Sequence, residues 1–357
     1  MKVVLCNAGY SGYTTACWRE LASRKQVELS IYTPKTEYPF AEDLLSGLPV
    51  HVLSEDAMAD CGRFCETVAA ERPDVMVIPG WTYKIFTSLC CHPALRQTKF
   101  VMAIDSAWSG SVRQLASRFV LRRLVRRLDG VIVAGERGRQ FARYLGFVPE
   151  RIFTSTYGFD YRAFSAVAER RRASGSGSWP RSFVYVGRYA PVKGLDILAE
   201  AYSRYSRRVQ DPWPLHCYGH GPLKEQLQAT AGVTVHDFVQ PVRLPETLSQ
   251  HGVYILPSNK EPWGVSLAEA AATGMPVICS DAVCSGLDLV RHLYDGLIFP
   301  ARSAKGLERS LAWCHEHPEH LVSMGLRARV YAEAYSAEEW ANRWIWCFES
   351  LLGCSIS

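Results

Sequence analysis

Short apolar runs recur along this chain, separated by longer stretches whose apolar positions follow a helical spacing. In the first half the runs are Lys2 to Cys6, Val27 to Tyr32, Val50 to Leu53, Val75 to Pro79, Lys99 to Ile104 and Val131 to Ala134. In the second they are Phe183 to Val186, Leu215 to Tyr218, Val233 to His236, Val253 to Leu256, Val277 to Ser280 and Leu297 to Pro300. Strands of this kind alternating with amphipathic helices mark βαβ units that build parallel sheets, so the pattern predicts an α/β protein with two similar doubly wound halves. Ligands of such sheets sit in the loops beyond the carboxyl ends of the strands, and that is where chemistry is expected. The last periodic segment, Ser336 to Leu352, places Trp340, Trp344 and Phe348 on one helical face and reads as a helix packed on a core.

The chain of 357 residues is too long for one ordinary core and suits two domains. The predicted division is an N-terminal domain over 1–167, a connection over 168–182, a C-terminal domain over 183–335 and a terminal helix over 336–357. The connection is expected to be exposed and flexible because arginines, alternating Gly/Ser and Pro180 fill it. A content of 48% hydrophobic and 21% charged residues fits a folded protein rather than a disordered one. The opening Met1 to Gly9 stretch reads as a first strand rather than a signal peptide, and no apolar run is long enough to span a membrane. The twelve cysteines are scattered without a C-x-x-C pair, which predicts reduced thiols and a cytoplasmic setting. His315 and His317 beside Cys314 come nearest to a metal cluster, but no partner motif accompanies them and no metal is expected.

One string concentrates the chemistry. From Pro257 to Ile278 the chain reads P-S-N-K-E-P-W-G-V-S-L-A-E-A-A-A-T-G-M-P-V-I, with Glu261 and Glu269 eight residues apart. A strand ends at Pro257, a polar loop carries Glu261, and Gly264 precedes a short alanine-rich helix expected to begin near Ser266. The amides of Gly264, Val265 and Ser266 would point out of the helix start, where unpaired donors and the helix dipole together favour an oxygen-rich or anionic ligand. A carboxylate accepts two hydrogen bonds at once, which suits neighbouring sugar hydroxyls. Read singly, Glu261 is a solvated loop residue and Glu269 a glutamate near a helix start. Earlier in the same half, V-G-R-Y-A-P-V-K-G at 186–194 sets Arg188 and Lys193 around Gly187 and a strand end, two cations suited to a departing diphosphate.

These strings closely resemble the E-x7-E and V-G-R-x-x-x-x-K-G signatures of retaining glycosyltransferases of family 4. The resemblance implies a GT-B architecture, two Rossmann-like doubly wound domains facing a central cleft, with the terminal helix packing back across both. It implies that Arg188 and Lys193 bind the donor pyrophosphate, Glu269 the ribose, and Glu261 with the Gly264 and Val265 amides the sugar hydroxyls. Trp263 stands where the family has phenylalanine and keeps an aromatic wall. Gly219, in Gly219-His220-Gly221-Pro222, resembles a loop lining the nucleotide pocket. Phe238 and Val239 resemble a segment flanking the nucleobase, with Asp237 in place of the usual glycine. In the first half the resemblance is weaker. Gly9 and Gly12 lack the G-x-G-x-x-G dinucleotide fingerprint, and Gly12 is the candidate to approach the donor phosphates. Asp105 or Ser106 stands where many members carry a sugar-contacting histidine. Tyr157, in T-Y-G-F-D, replaces an asparagine in a segment read as structural.

The implied activity is metal-independent, front-face transfer of a sugar from a nucleotide-diphosphate donor to a carbohydrate or lipid-linked acceptor, since no D-x-D motif is present. A nucleotide-sugar-binding protein without turnover is the alternative, and a dinucleotide-dependent oxidoreductase a more distant one. Net charge is +5, and six arginines lie between Arg113 and Arg127 among leucines and a phenylalanine. That segment reads either as a solvated helix face or as a peripheral contact with an anionic membrane on its inner, cytoplasmic side. No groove-reading or RNA-binding motif supports a nucleic-acid partner.

Overall fold

The computed structural model describes residues 1–174 and 179–353. The chain divides into two compact units, one of residues 1–158 with 337–357 and the other of residues 159–336. In the first, seven strands form one parallel sheet: β1 (Lys2–Cys6), β2 (Glu28–Pro34), β3 (Val50–Leu53), β4 (Val75–Pro79), β5 (Lys99–Ile104), β6 (Gly130–Val133) and β7 (Ile152–Thr154). Their order is β3-β2-β1-β4-β5-β6-β7. In the second, β8 (Phe183–Val186), β9 (Leu215–Tyr218), β10 (Val233–His236), β11 (Val253–Leu256), β12 (Val277–Ser280) and β13 (Gly296–Phe299) are ordered β10-β9-β8-β11-β12-β13, again all parallel. Each unit is Rossmann-like. Each chain path reverses once, between β1 and β4 and between β8 and β11, and such switch points are where doubly wound sheets bind ligands.

The sheets form because their strands are apolar on both faces. Val3, Val4, Val75, Val77, Phe100 and Val101 have no exposed surface, and neither have Phe183, Val184, Tyr254 and Ile255. The terminal helix, Ala337–Leu352, belongs to the first unit, and its aromatic stripe is buried there. The Trp344 indole donates to the Ser155 carbonyl at 2.8 Å and the Trp340 indole to the Thr156 carbonyl at 3.2 Å. Gly158 permits this docking, since a Cβ on it would meet the Trp340 Cβ at 2.7 Å and the Cys17 sulfur at 2.8 Å. The Asp160 carboxylate accepts from the Ala163 amide at 3.1 Å and opens the next helix, so T-Y-G-F-D is built of packing and capping residues.

That helix, Tyr161–Ser174, takes in the first arginines of the stretch expected to be a flexible connection. They have tertiary partners. Arg171 donates to the carbonyls of Leu248 and His251 at 2.7 and 2.6 Å, and Arg170 pairs with Glu246 at 2.9 Å. Residues 175–178 of the expected connection, and 354–357 of the expected terminal segment, lie outside the described residues. The described cysteines are free thiols.

Candidate active site

The two strands flanking the second unit's switch point, β8 and β11, end in the two loops the sequence singles out. The β8 loop runs through Arg188 to Lys193 and enters the Leu195–Arg208 helix at Gly194. The β11 loop runs through Ser258 to Glu261 and enters the Val265–Ala272 helix at Gly264. Backbone bonds lock one loop on the other: the Asn259 amide donates to the Val192 carbonyl at 2.9 Å, and the Asn259 side chain to the Pro191 carbonyl at 3.2 Å. Gly194 makes this approach possible. It holds φ +67, and a Cβ there would overlap the Pro257 carbonyl oxygen.

At the meeting point the Lys193 ammonium donates to Glu261 Oε2 at 2.5 Å, and the Ser258 hydroxyl donates to the same oxygen at 3.0 Å. Ser258 is held in turn, its carbonyl accepting from the Ser280 hydroxyl of β12 at 2.5 Å. Glu261 is buried, and its backbone is fixed on both sides: its amide donates to the Ala282 carbonyl at 3.3 Å and its carbonyl accepts from the Cys284 amide at 3.2 Å. A buried carboxylate is tolerated when it is paired and hydrogen-bonded, and here Lys193 and Ser258 meet that need through one oxygen. Lys193 keeps part of its side chain exposed.

Gly264 takes φ +97, with no room for a side chain between Leu256, Glu261 and Val283, so the chain turns sharply into its helix. No described side chain caps that helix start. It begins at Val265, one residue before the expected Ser266. Glu269, half-buried on this helix, is a carboxyl pushed up to about 7, first by desolvation and then by the like charge of Asp160. A carboxyl in that state is poised to ionise when hydroxyl donors arrive.

The glycine loop after β9 is packed on the β8 loop. A Cβ on Gly219 would overlap the Gly187 carbonyl, and one on Gly221 would lie 2.6 Å from the Tyr189 carbonyl. The Tyr189 amide donates to the His220 carbonyl at 2.7 Å, while its buried hydroxyl donates to the Cys217 carbonyl at 2.7 Å. Phe238 packs edge-on to His220 at 5.7 Å, beside a half-buried Val239, beyond the end of β10. Asp237 is exposed and bound to Lys224 at 2.7 Å, an ammonium that holds its carboxyl low.

Not every expected site residue converges. Lys193, Glu261 and Gly264 do; Arg188 is exposed at the same strand end, with no described side-chain contact to that group. Trp263, expected to wall the ligand, is 2% exposed and packs on Tyr335 at 5.0 Å, because a large indole gains more by burial beneath the loop. His315 bonds the Tyr205 hydroxyl at 2.9 Å and Cys314 is buried, so His315, His317 and Cys314 do not form a cluster. His317 lies instead with Glu319 and His320 on the surface. In the first unit, Gly12 is the first residue of the Gly12–Ala22 helix, whose start is closed by a capping box between Ser11 and Thr14. The Asp105 carboxylate accepts from the Tyr157 hydroxyl at 3.1 Å. Gly194 and Ser258 are the residues sequence reasoning assigned no role. Both stand inside the quoted motifs, but only the fold shows which backbone or carboxylate each one serves.

Comparison with known proteins agrees with this architecture. A family model for glycosyl transferases group 1 matches residues 167–331, and one for a glycosyl transferase 4-like domain matches residues 8–158. The D-rhamnosyltransferase WbpZ of Pseudomonas aeruginosa is 28% identical over 236 residues, which is 62% of this chain and 59% of that protein. A D-inositol 3-phosphate glycosyltransferase of Geodermatophilus obscurus is 30% identical over 227 residues, 57% of this chain and 48% of the relative. The chain thus spans about half the length of these curated relatives. Among solved structures, Anabaena HepE in complex with UDP and glucose superposes with a TM-score of 0.72 at 17% identity, covering 98% of this chain and 100% of that one. With one model matched to each unit, and the switch-point loops of the second unit carrying the signature residues, the chain has the GT-B fold and is similar to group 1 glycosyltransferases over its second unit and to 4-like glycosyltransferase domains over its first.

Proposed function

We propose that the protein is a retaining glycosyltransferase that moves a hexosyl group from a nucleoside-diphosphate sugar to a saccharide acceptor without a metal ion. The observation that carries this reading is the Lys193–Glu261 pair at the β8/β11 switch point, with Ser258 on the same oxygen. Lys193 and Arg188 offer the cations that a diphosphate needs as its charge grows during bond cleavage. Glu261 uses Oε2 for its protein partners, which leaves Oε1 to accept from a sugar hydroxyl beside the Gly264 and Val265 amides. Glu269 accepts from the ribose hydroxyls, which favours its ionised form. Gly187 and Gly219 keep the loop backbone close to the phosphates, and Phe238 and Val239 border the base. The transfer is front-face: the glycosidic bond to the diphosphate breaks, the leaving oxygen takes the acceptor hydroxyl's proton, and the acceptor oxygen bonds the anomeric carbon on the face the diphosphate left. UDP is the first nucleotide to try, since HepE is one fold neighbour solved with UDP and glucose.

Thermal unfolding in EDTA with UDP, GDP and ADP tests the reading, on wild type and Lys193→Ala. A ligand at a hundredfold excess over its Kd adds about 2.7 kcal/mol. One nucleoside diphosphate should stabilise wild type by several degrees and leave the variant unmoved. Stabilisation that required added Mg²⁺ or Mn²⁺ would overturn metal independence, and no stabilisation by any of the three would overturn the donor site. The anomeric configuration of the product, read by NMR, decides retention against inversion.

A further inference from the structure

The arginine-rich segment of the first unit folds as two short helices, Val112–Val120 and Arg122–Arg127. The first is docked inside out. At about 100° per residue, Val112, Leu115, Ala116, Phe119 and Val120 share one face, and Gln114 and Ser117 the other. It is the polar face that meets the protein. Gln114 donates to the Ala107 carbonyl at 2.7 Å and accepts from the Ser109 amide at 2.7 Å, and the Tyr144 hydroxyl donates to the Leu115 carbonyl at 2.8 Å. The apolar face points to solvent: Val112 is 83% exposed, Val120 78%, Phe119 77% and Leu115 44%.

Charge surrounds this ridge on one side of neutrality only. Arg113 and Arg118 flank it, exposed Arg122, Arg123 and Arg126 follow, and no acidic residue occurs from Val112 to Arg127. Arg127 does not belong to the set, because its guanidinium donates to the Cys90 and Leu95 carbonyls at 3.0 and 2.8 Å and lies 4.3 Å over Phe100. An exposed apolar ridge inside a ring of cations, on a helix too short to span a bilayer, matches an anionic lipid surface: the ridge enters the acyl boundary and the guanidiniums meet headgroup phosphates. Among the described residues no helix is long and apolar enough to cross a membrane, so the contact is one of lying on the surface.

We infer that the Val112–Val120 helix is an interfacial anchor that seats the first unit on an anionic bilayer through Phe119 and Val120. The helix follows the loop after β5, on the same sheet edge as the loops after β1 and β4, where a doubly wound sheet presents ligands. The anchor would therefore bring that edge to a lipid-borne acceptor, a step that rests on the transferase reading, whereas membrane binding itself does not.

The test is flotation of the full chain with vesicles of phosphatidylcholine alone or with about a third phosphatidylglycerol, a composition giving a negative surface. Wild type should float with the anionic vesicles and not the neutral ones. Phe119→Ser with Val120→Ser should reduce the bound fraction at least tenfold, and Arg122, Arg123 and Arg126 to Gln should do the same at low salt. A UDP thermal shift on each variant reads the fold and donor site separately: an unchanged shift with lost flotation supports the anchor, and a missing shift in wild type fails the donor reading alone. Flotation that survives the serine pair would overturn the proposal. So would a wild type that ignores anionic vesicles, including one whose gel-filtration dimer is broken by the serine pair, which would assign the ridge to a second copy.

Discussion

The two sheets are built on one plan, yet the glycines beyond their strands do different work. In the second unit Gly194 and Gly219 each stand where a side chain would overlap another loop's backbone, so three loops are pressed into one body around Lys193 and Glu261. In the first unit Gly9 and Gly110 have nothing within 4 Å of an added Cβ, and the helix start after β1 is closed by its own Ser11 and Thr14. The second unit spends its backbone freedom on converging charges at a switch point. The first leaves its edge open, with an apolar helix face turned outward. A small, highly charged ligand needs the former and a large or surface-bound one the latter.

Breaking the convergence should have the largest effect. Gly194→Ala adds a side chain at φ +67 and drives it into the Pro257 carbonyl. Left-handed strain costs about 1–3 kcal/mol and overpacking a similar amount, so unfolding should fall by several degrees or more. Nucleotide-dependent stabilisation should vanish with it. Gly62→Ala, in the Cys61–Ala70 helix of the first unit where an added Cβ meets only Asp60 Oδ1 at 3.7 Å, is the matched control, and its melting temperature should not fall. Equal losses in both variants would show that the contrast between the units is not real.

Removing one charge comes next. Lys193→Ala leaves the buried Glu261 with only Ser258, a loss of about 3 kcal/mol or less in stability because the ammonium is itself part exposed. On the proposed reading, in which Lys193 serves the donor diphosphate, transfer should fall at least about 100-fold. Lys193→Arg restores charge without the compact ammonium that fits Oε2, and partial rescue of turnover is expected. A wild-type rate in Lys193→Ala would remove the lysine from the mechanism.

Glu269 gives the second unit a pH signature near neutrality. Its carboxyl rises from 4.5 to about 7 on folding, so its contribution to stability is full below pH 4.5 and is lost as pH rises through about 7. Glu269→Gln removes that dependence and should be more stable than wild type at pH 8, by up to about 3 kcal/mol, while nearly matching it at pH 5. If Glu269 accepts from the ribose hydroxyls as proposed, they favour the carboxylate, and nucleotide should bind more tightly to wild type as pH climbs through 7, with a proton released. Calorimetry in buffers of different ionisation enthalpy reads that proton. A pH-independent Kd would detach Glu269 from the ribose.

The pattern of apolar runs reached most of this architecture, because a strand buried on both faces needs no context to be read. Three strands are displaced by one or two residues, and β7 was missed because Ile152–Thr154 is too short to show a pattern. The signature strings found Lys193 and Glu261, since both ends of that pair lie in loops whose glycines and prolines are visible in the sequence. What was not legible came from tertiary partners. Trp263 looked like a ligand wall and is core; Arg170 and Arg171 looked like a connection and hold a helix through Glu246 and carbonyl oxygens; Arg127 looked like surface charge and is bonded inward. The outward Phe119 could not be read from amphipathicity alone, because the same periodicity fits either face turned to the protein.

The smallest effect belongs to Gly12, and it sharpens the comparison most economically. The residue has an ordinary helical backbone at the first position of its helix, and Ser11 with Thr14 already satisfies donors at that start. If that helix start serves only its own capping, Gly12→Ala should do no more than restrict the unfolded chain, stabilising the protein by about 0.4–1 kcal/mol. Melting should rise by a degree or a few, with the nucleotide shift intact. A Cβ that crowded a donor phosphate would instead weaken the nucleotide shift while leaving the apo melting temperature raised. The two outcomes differ in the liganded scan alone, so one variant decides whether the first unit reaches the donor through its glycine loop.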